Sequence, residues 1–151
     1  MDHSIKAGEL FLTGANCSQA VVLAFEDLTG LDAQTALKIS SAFGGGIGRM
    51  REVCGAVSGL FMVLGLLYGY TEPGEKDANK KALYADVQKL ADQFRQEVGS
   101  IICRDILKNP STDPNPSPRN AEFYKVRPCA RMVMTAARIL DQYIEEHPLD
   151  A

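Results

Sequence analysis

Four cysteines, Cys17, Cys54, Cys103 and Cys129, are the side chains of this protein best suited to chemistry. A thiolate is a nucleophile, a metal ligand and half of a disulfide. No two of the four are close in sequence. That spacing excludes a CxxC redox pair, a zinc-ribbon knuckle and the CxxCxxC run of bacterial ferredoxins. Any shared chemistry must therefore be assembled by folding. The positions do have a feature in common. Cys17 follows Asn16, a good helix cap; Cys54 lies at the start of the longest uncharged stretch; Cys103 comes shortly after Ser100; Cys129 follows Pro128. Each is expected in the first turn of a helix, where N–H groups lack intrahelical partners and the peptide dipoles end positive. Converging, four such ends would favour thiolates, or a cluster of net negative charge.

Glycines surround the second cysteine. In Cys54-Gly55-Ala56-Val57-Ser58-Gly59, the two glycines share one helical face and leave room for another backbone, or a cluster, near Cys54. Upstream, Gly44, Gly45, Gly46 and Gly48 form a segment whose backbone N–H groups could cradle an anion. It lacks the Gly-Lys-Ser/Thr ending of a nucleotide-binding loop, since Arg49 and Met50 follow. Gly45, Gly46, Gly55 and Gly59 are the candidate cofactor-binding positions. Arg49 and Arg51 precede Cys54, while Arg104 and Arg131 neighbour Cys103 and Cys129. Each arginine alone reads as a surface residue; together they could offset negative charge. His3 and His147 lie near the termini, where exposure is the default. With no other histidine, Ser–His or Cys–His hydrolysis is poorly supported. The carboxylates fall mainly on outer helix faces and offer no acid–base pair.

These residues need helices to position them, and the periodicity supplies helices throughout. Residues 3–13 form a short amphipathic helix with apolar Ile5, Leu10, Phe11 and Leu12, ended by Gly14. Asn16 and Gln19 form a capping box for a second helix, from Cys17 to about Leu28, which Gly30 stops. Asp32 caps a third, from Ala33 to about Ala42, with Ala36, Leu37 and Ile39 inward. Val53–Tyr68 is apolar almost all round, which predicts a buried central helix. TEPGE, from Thr71, is a turn. A long charged helix from about Glu75 to Glu97 carries one apolar stripe of Leu83, Val87, Leu90 and Phe94. After a short turn through Cys103 to Leu107, KNPSTDPNPSPRN is a long loop. The last helix runs from Pro128 to about Glu146, with Met132, Val133, Ala136, Ile139, Leu140 and Tyr143 inward. No stretch alternates with period two. The fold class is all-α: a compact multi-helix bundle around a central apolar helix, in a single domain spanning residues 1–151.

The order of the cysteines and the CGAxxG at Cys54 resemble the C_GCAxxG_C_C family of four-cysteine redox proteins. NCSQAV at Asn16, FGGGIGR at Phe43 and CGAVSGLFMVLGL at Cys54 look typical of it, and the likeness covers nearly the whole chain. The resemblance implies a helical, redox-active protein with a cysteine-bound metal or iron–sulfur centre. It also implies a relation to modules joined to haem domains in some cytochromes.

Composition narrows the function class. At 151 residues the chain is long enough for a sizeable core, and a net charge of −3 argues against nucleic acid as the main partner. No basic segment precedes an apolar one at the N-terminus, so the expectation is no secretory signal and a cytoplasmic location. The uncharged stretch is borderline in length for a membrane span and interrupted by glycines, so membrane insertion is not expected. The reading is a redox or electron-transfer protein in which Cys17, Cys54, Cys103 and Cys129 bind an iron–sulfur cluster or another metal. The alternatives are a metal-free thiol–disulfide switch and a non-enzymatic module stapled by structural zinc. A redox partner protein is implied without being identified, and the sequence leaves a homodimer open.

Overall fold

The computed structural model describes residues 2–71 and 77–149, and within them nine helices carry the architecture. They are α1 (His3–Leu12), α2 (Cys17–Ala24), α3 (Glu26–Thr29), α4 (Ala33–Ser40), α5 (Gly55–Tyr68), α6 (Asp77–Val98), α7 (Cys103–Leu107), α8 (Ala121–Val126) and α9 (Cys129–Glu146). Among the described residues there is no sheet, only one isolated antiparallel bridge between Val53 and Ile102. The fold is all-α. Apart from Thr71, the expected TEPGE turn lies outside the described residues, as does the expected helix start at Glu75.

Local chemistry sets most helix starts. The Asn16 side chain accepts from the Gln19 N–H at 2.9 Å, and the Gln19 side chain accepts from the Asn16 N–H at 3.1 Å, closing the capping box. Asp32 accepts from the Thr35 N–H at the head of α4. The helix expected to continue to Leu28 breaks at Phe25, and α3 runs on from there to a left-handed Gly30.

α5 packs against α2, α6 and α9, and α1 lies along α9 and α2. The core these helices share runs from Ala7 to Tyr143. Residues 55–60 of α5 are buried on every side, but Gly65 and Leu66 reach the surface, so only the first half of this helix is central. The expected stripe of α6 is present, with Leu90 and Phe94 buried and Leu83 and Val87 partly so. All six residues expected to face inward on α9 are buried.

Two expected faces differ. In α1, Ile5 and Leu12 are more than half exposed, whereas His3, Ser4, Ala7, Gly8 and Phe11 are buried. Small residues win that face because α9 crosses close by: a Cβ on Gly8 would stand 3.0 Å from Met134 Sδ. In α4, Ala36 and Ser40 are inward and Ile39 is exposed. Ser18 explains the preference, since its hydroxyl donates to the Ser40 carbonyl at 2.6 Å inside the α2–α4 contact.

His3 is the main departure at the N-terminus. Expected at the surface, it is 3% exposed and stacks on Phe25 at 4.2 Å. Its Nδ1 lies 2.5 Å from Asp141 Oδ1 and its Nε2 lies 3.0 Å from Asp27. A histidine between two carboxylates ties α1 to α3 and α9. His147 is exposed, as expected.

Candidate functional site

Each cysteine heads a helix. Cys17, Cys103 and Cys129 are the first residues of α2, α7 and α9, and Cys54 is the N-cap of α5. All four line one cavity of about 220 Å³, and all four are free thiols with 6–9% of their surface exposed.

Backbone pairing places two of them. The Cys54 N–H donates to the Ile101 carbonyl at 2.7 Å, and the Cys103 N–H donates to the Glu52 carbonyl at 2.6 Å. These bonds flank the Val53–Ile102 bridge and bring the heads of α5 and α7 together.

The glycine segment turns the chain beneath them. Gly45, Gly46, Ile47, Gly48 and Arg49 all have φ between 56° and 67° or, at Gly46, 75°, and Arg51 follows at 62°. Five successive residues in the left-handed region make a left-handed turn, which costs about 1–2 kcal/mol at each residue with a side chain. Glycine removes that cost at Gly45, Gly46 and Gly48. At Gly46 it does more: a Cβ there would lie 2.6 Å from Cys103 Cβ and 2.8 Å from Arg51 Cα. Gly55 admits α2, since its Cβ would stand 3.0 Å from Cys17 Cβ. Of the candidate glycines, Gly45, Gly46 and Gly55 line the cavity. Gly59 does not; it packs on Ser18 and Val21 of α2, and so serves helix approach.

Burial dominates at two of the thiols, Cys54 and Cys103. Cys54 is pushed up to about 12 by burial, against hydrogen bonds from the Ala56 and Val57 N–H groups. Burial also raises Cys103, opposed by Arg51, whose Nη1 donates to its sulfur at 3.7 Å. Cys17 and Cys129 form a pair. Their mutual interaction, with burial, raises Cys17 well above its ordinary value, and the same interaction, with Arg127, Arg119 and Arg51 nearby, lowers Cys129 to about 7. The expectation that the four helix ends would favour thiolates thus meets a downward shift at Cys129 alone, while burial and neighbours raise the other three.

Arginines form the rest of the wall. Arg51, expected at the surface, is 1% exposed, donates from Nε to the Ser111 carbonyl at 2.9 Å, and lines the cavity. Arg49 also lines it, while Arg104 pairs with Glu52 at the surface and Arg131 reaches the Glu97 carbonyl. Two further wall residues, Arg119 and Arg127, come from the stretch around the proline-rich loop. Arg119 donates to the Phe11 and Ala15 carbonyls and lies over the Phe11 ring at 4.4 Å. Sequence reasoning passed over both. The one local signal was Asn120, which caps the unexpected α8 by accepting from the Phe123 N–H.

Four thiols are the right donor chemistry for an iron–sulfur cluster or for zinc. Among the described residues, however, no three His, Cys, Asp or Glu side chains form a group that could hold a metal ion. The thiols as placed do not form a site for a single metal ion.

A family model described as "Putative redox-active protein (C_GCAxxG_C_C)" matches residues 15–143, which include all four cysteines. No curated protein and no solved structure matches the chain. No helix among the described residues is long and apolar enough to cross a membrane.

Proposed function

Because the chain belongs to the C_GCAxxG_C_C family of redox-active proteins, we propose that its four-thiol cavity carries out two-electron thiol–disulfide chemistry, with Cys17 and Cys129 as the couple. The observation that carries this reading is that Cys17 and Cys129 line one cavity as free thiols, each shifting the other's ionisation. A thiolate near neutral pH beside a protonated thiol is the arrangement thiol–disulfide exchange requires. The Cys129 thiolate attacks one sulfur of an oxidising disulfide, forming a mixed disulfide and releasing the other sulfur as a thiolate. Cys17, giving up its proton, then attacks the Cys129 sulfur and expels the second thiolate. The incoming disulfide is reduced by two electrons, and Cys17 and Cys129 become joined. Arg127, Arg119 and Arg51 hold the negative charge on the attacking sulfur. Cys54 stays protonated well above neutral pH and keeps the cavity wall apolar.

Diamide titration of reduced protein, followed by peptide mapping, tests the couple. The expected result is two thiols lost and one Cys17–Cys129 disulfide, reversed by dithiothreitol. A different pairing, or no disulfide, refutes it.

A second reading, a cysteine-held iron–sulfur cluster, is favoured by the fact that all four cysteines line one cavity. Such a cluster would supply electron transfer, with Cys17, Cys54, Cys103 and Cys129 as its candidate ligands. Iron and sulfide analysis of anaerobically prepared protein separates the two readings. Stoichiometric iron lost on changing any one cysteine to serine would favour the cluster; colourless protein with four titratable thiols would favour the couple.

A further inference from the structure

Among the described residues, the cavity wall contains four arginines, Arg49, Arg51, Arg119 and Arg127, and no aspartate or glutamate. Among the described residues, no ion pair within 4.0 Å joins Arg49, Arg51 or Arg127 to a carboxylate. Their hydrogen bonds go to neutral groups instead. Arg49 donates to the Asp113 carbonyl and the Ser117 hydroxyl, and Arg127 donates to the same hydroxyl at 3.1 Å. Two guanidiniums therefore converge on one serine, and each feels the other's charge. The Asp113 carboxylate acts on Arg49, but Asp113 is not part of the wall.

Arg51 adds an independent observation. It is 1% exposed, and although its Nε and Nη1 have partners, its Nη2 has none. A buried charged group with an unmet donor is costly. So is a cluster of like charges in a confined site. Arg49, Arg51 and Arg127 thus make their side of the wall positive. A guest with two or more acceptor oxygens and a negative charge satisfies both deficits, because a guanidinium presents its donors as a planar fork that matches an oxyanion.

We propose that the cavity is a binding site for a small inorganic oxyanion, held by the unpartnered Nη2 of Arg51 with Arg49, Arg119 and Arg127 around it. This goes beyond the redox reading: it gives the arginine wall a ligand of its own beside the thiols. It rests on the arginine wall and not on the Cys17–Cys129 disulfide, so either can fail alone. The segment that builds the site is consistent with this role. The left-handed turn over Gly45–Arg49 and the positive φ of Arg51 bring two of the arginines beneath the thiols, and the arms of both fasten the proline-rich loop through Ser111, Asp113 and Ser117. The loop is thus pinned at the rim by the residues that would hold the anion.

Equilibrium dialysis with radiolabelled sulfate tests the proposal, using reduced full-length protein in a chloride background of fixed ionic strength. The expected result is saturable binding of one sulfate per chain that chloride does not displace. Arg51→Gln and Arg127→Gln should each weaken it at least tenfold. Arg51 is buried, so circular dichroism first checks that its variant folds. Arg127 is half-buried, and its variant then carries the test. Non-saturable binding, or affinity unchanged in the folded variant, overturns the proposal. The diamide mapping described above, run on the same preparations, reports on the thiol couple separately.

Discussion

Replacing Gly46 by alanine tests whether the left-handed turn exists to admit Cys103. Two costs arise, and the structure separates them. The first is conformational: φ at Gly46 is +75°, a region that costs an L-residue about 1–2 kcal/mol. The second is steric. The new Cβ would stand 2.6 Å from Cys103 Cβ, and 2.8 Å from both Arg51 Cα and Glu52 N. Two of those atoms are backbone, and the Glu52 N–H is tied to the Gly46 carbonyl at 2.9 Å, so the turn cannot simply open. Overpacking of this kind costs about 1–3 kcal/mol. Together the change should destabilise the protein by about 2–5 kcal/mol. Gly48→Ala is the internal control. Its φ is +56°, but the nearest atom, the Ala42 carbonyl oxygen, is 3.9 Å away. Only the conformational cost remains, about 1–2 kcal/mol. In urea, with a slope of about 2 kcal/mol per M, the midpoint should fall by about 1–2.5 M for Gly46→Ala and about 0.5–1 M for Gly48→Ala. Equal midpoints for the two variants would show that the approach to Cys103 is not what the glycine serves.

Three further outcomes are expected. The alkylation rate of Cys129 by iodoacetamide, followed by mass spectrometry, should rise with pH through about 7, because the thiolate is the reactive form. Cys17→Ala removes the neighbouring thiol and should move that midpoint upward; an unchanged midpoint would mean the pair is not what lowers it. Above pH 9 the protein should lose stability. Cys54 ionises near 9.0 when unfolded and only at about 12 when folded, so unfolding releases a proton and rising pH favours it. The contribution is about 1.4 kcal/mol per pH unit at most over that window, and comparing urea midpoints of wild type and Cys54→Ala at pH 8 and 10.5 isolates it. Finally, His3→Ala should cost roughly 2–3 kcal/mol in chemical denaturation, because it removes a buried stacked ring and leaves Asp27 and Asp141 without their shared partner. A loss under about 0.5 kcal/mol, the range of an ordinary surface change, would contradict the role assigned to His3.

Much of the fold was legible because helix signals are local. The capping box of Asn16 and Gln19, Asp32 before α4, and Pro128 before α9 each act over one turn, so the sequence places three helix starts correctly. The apolar stripes of α6 and α9 repeat at helical spacing and are buried as read. For the same reason the association of every cysteine with a helix head could be anticipated. Cys54 is shifted only from the first turn to the cap, and α5 begins at Gly55.

Other features depend on what a residue meets across the fold, and no spacing encodes that. Ile39 and Leu12 belong to apolar patterns yet face solvent, because Ser40 and the small residues of α1 fit closer contacts. His3 is buried because Asp27 and Asp141 arrive from helices distant in sequence. The thiol shifts are likewise set by tertiary neighbours: helix heads are common to all four, but Cys129 alone is lowered, by Cys17 and by the arginines around it.

By itself, the sequence determined an all-helical chain with a thiol at the head of four of its helices, since caps, glycine stops and periodicity act within a few residues of backbone. Only the tertiary structure decided that those thiols face one cavity, that Cys17 and Cys129 shift each other's ionisation, and that Arg51 is buried with an unmet donor while Arg104 stays in solvent. The physical reason is range. Helix capping is settled by bonds between neighbours in the chain, whereas desolvation and the field at a thiol are set by whichever groups the packed helices bring within a few ångströms.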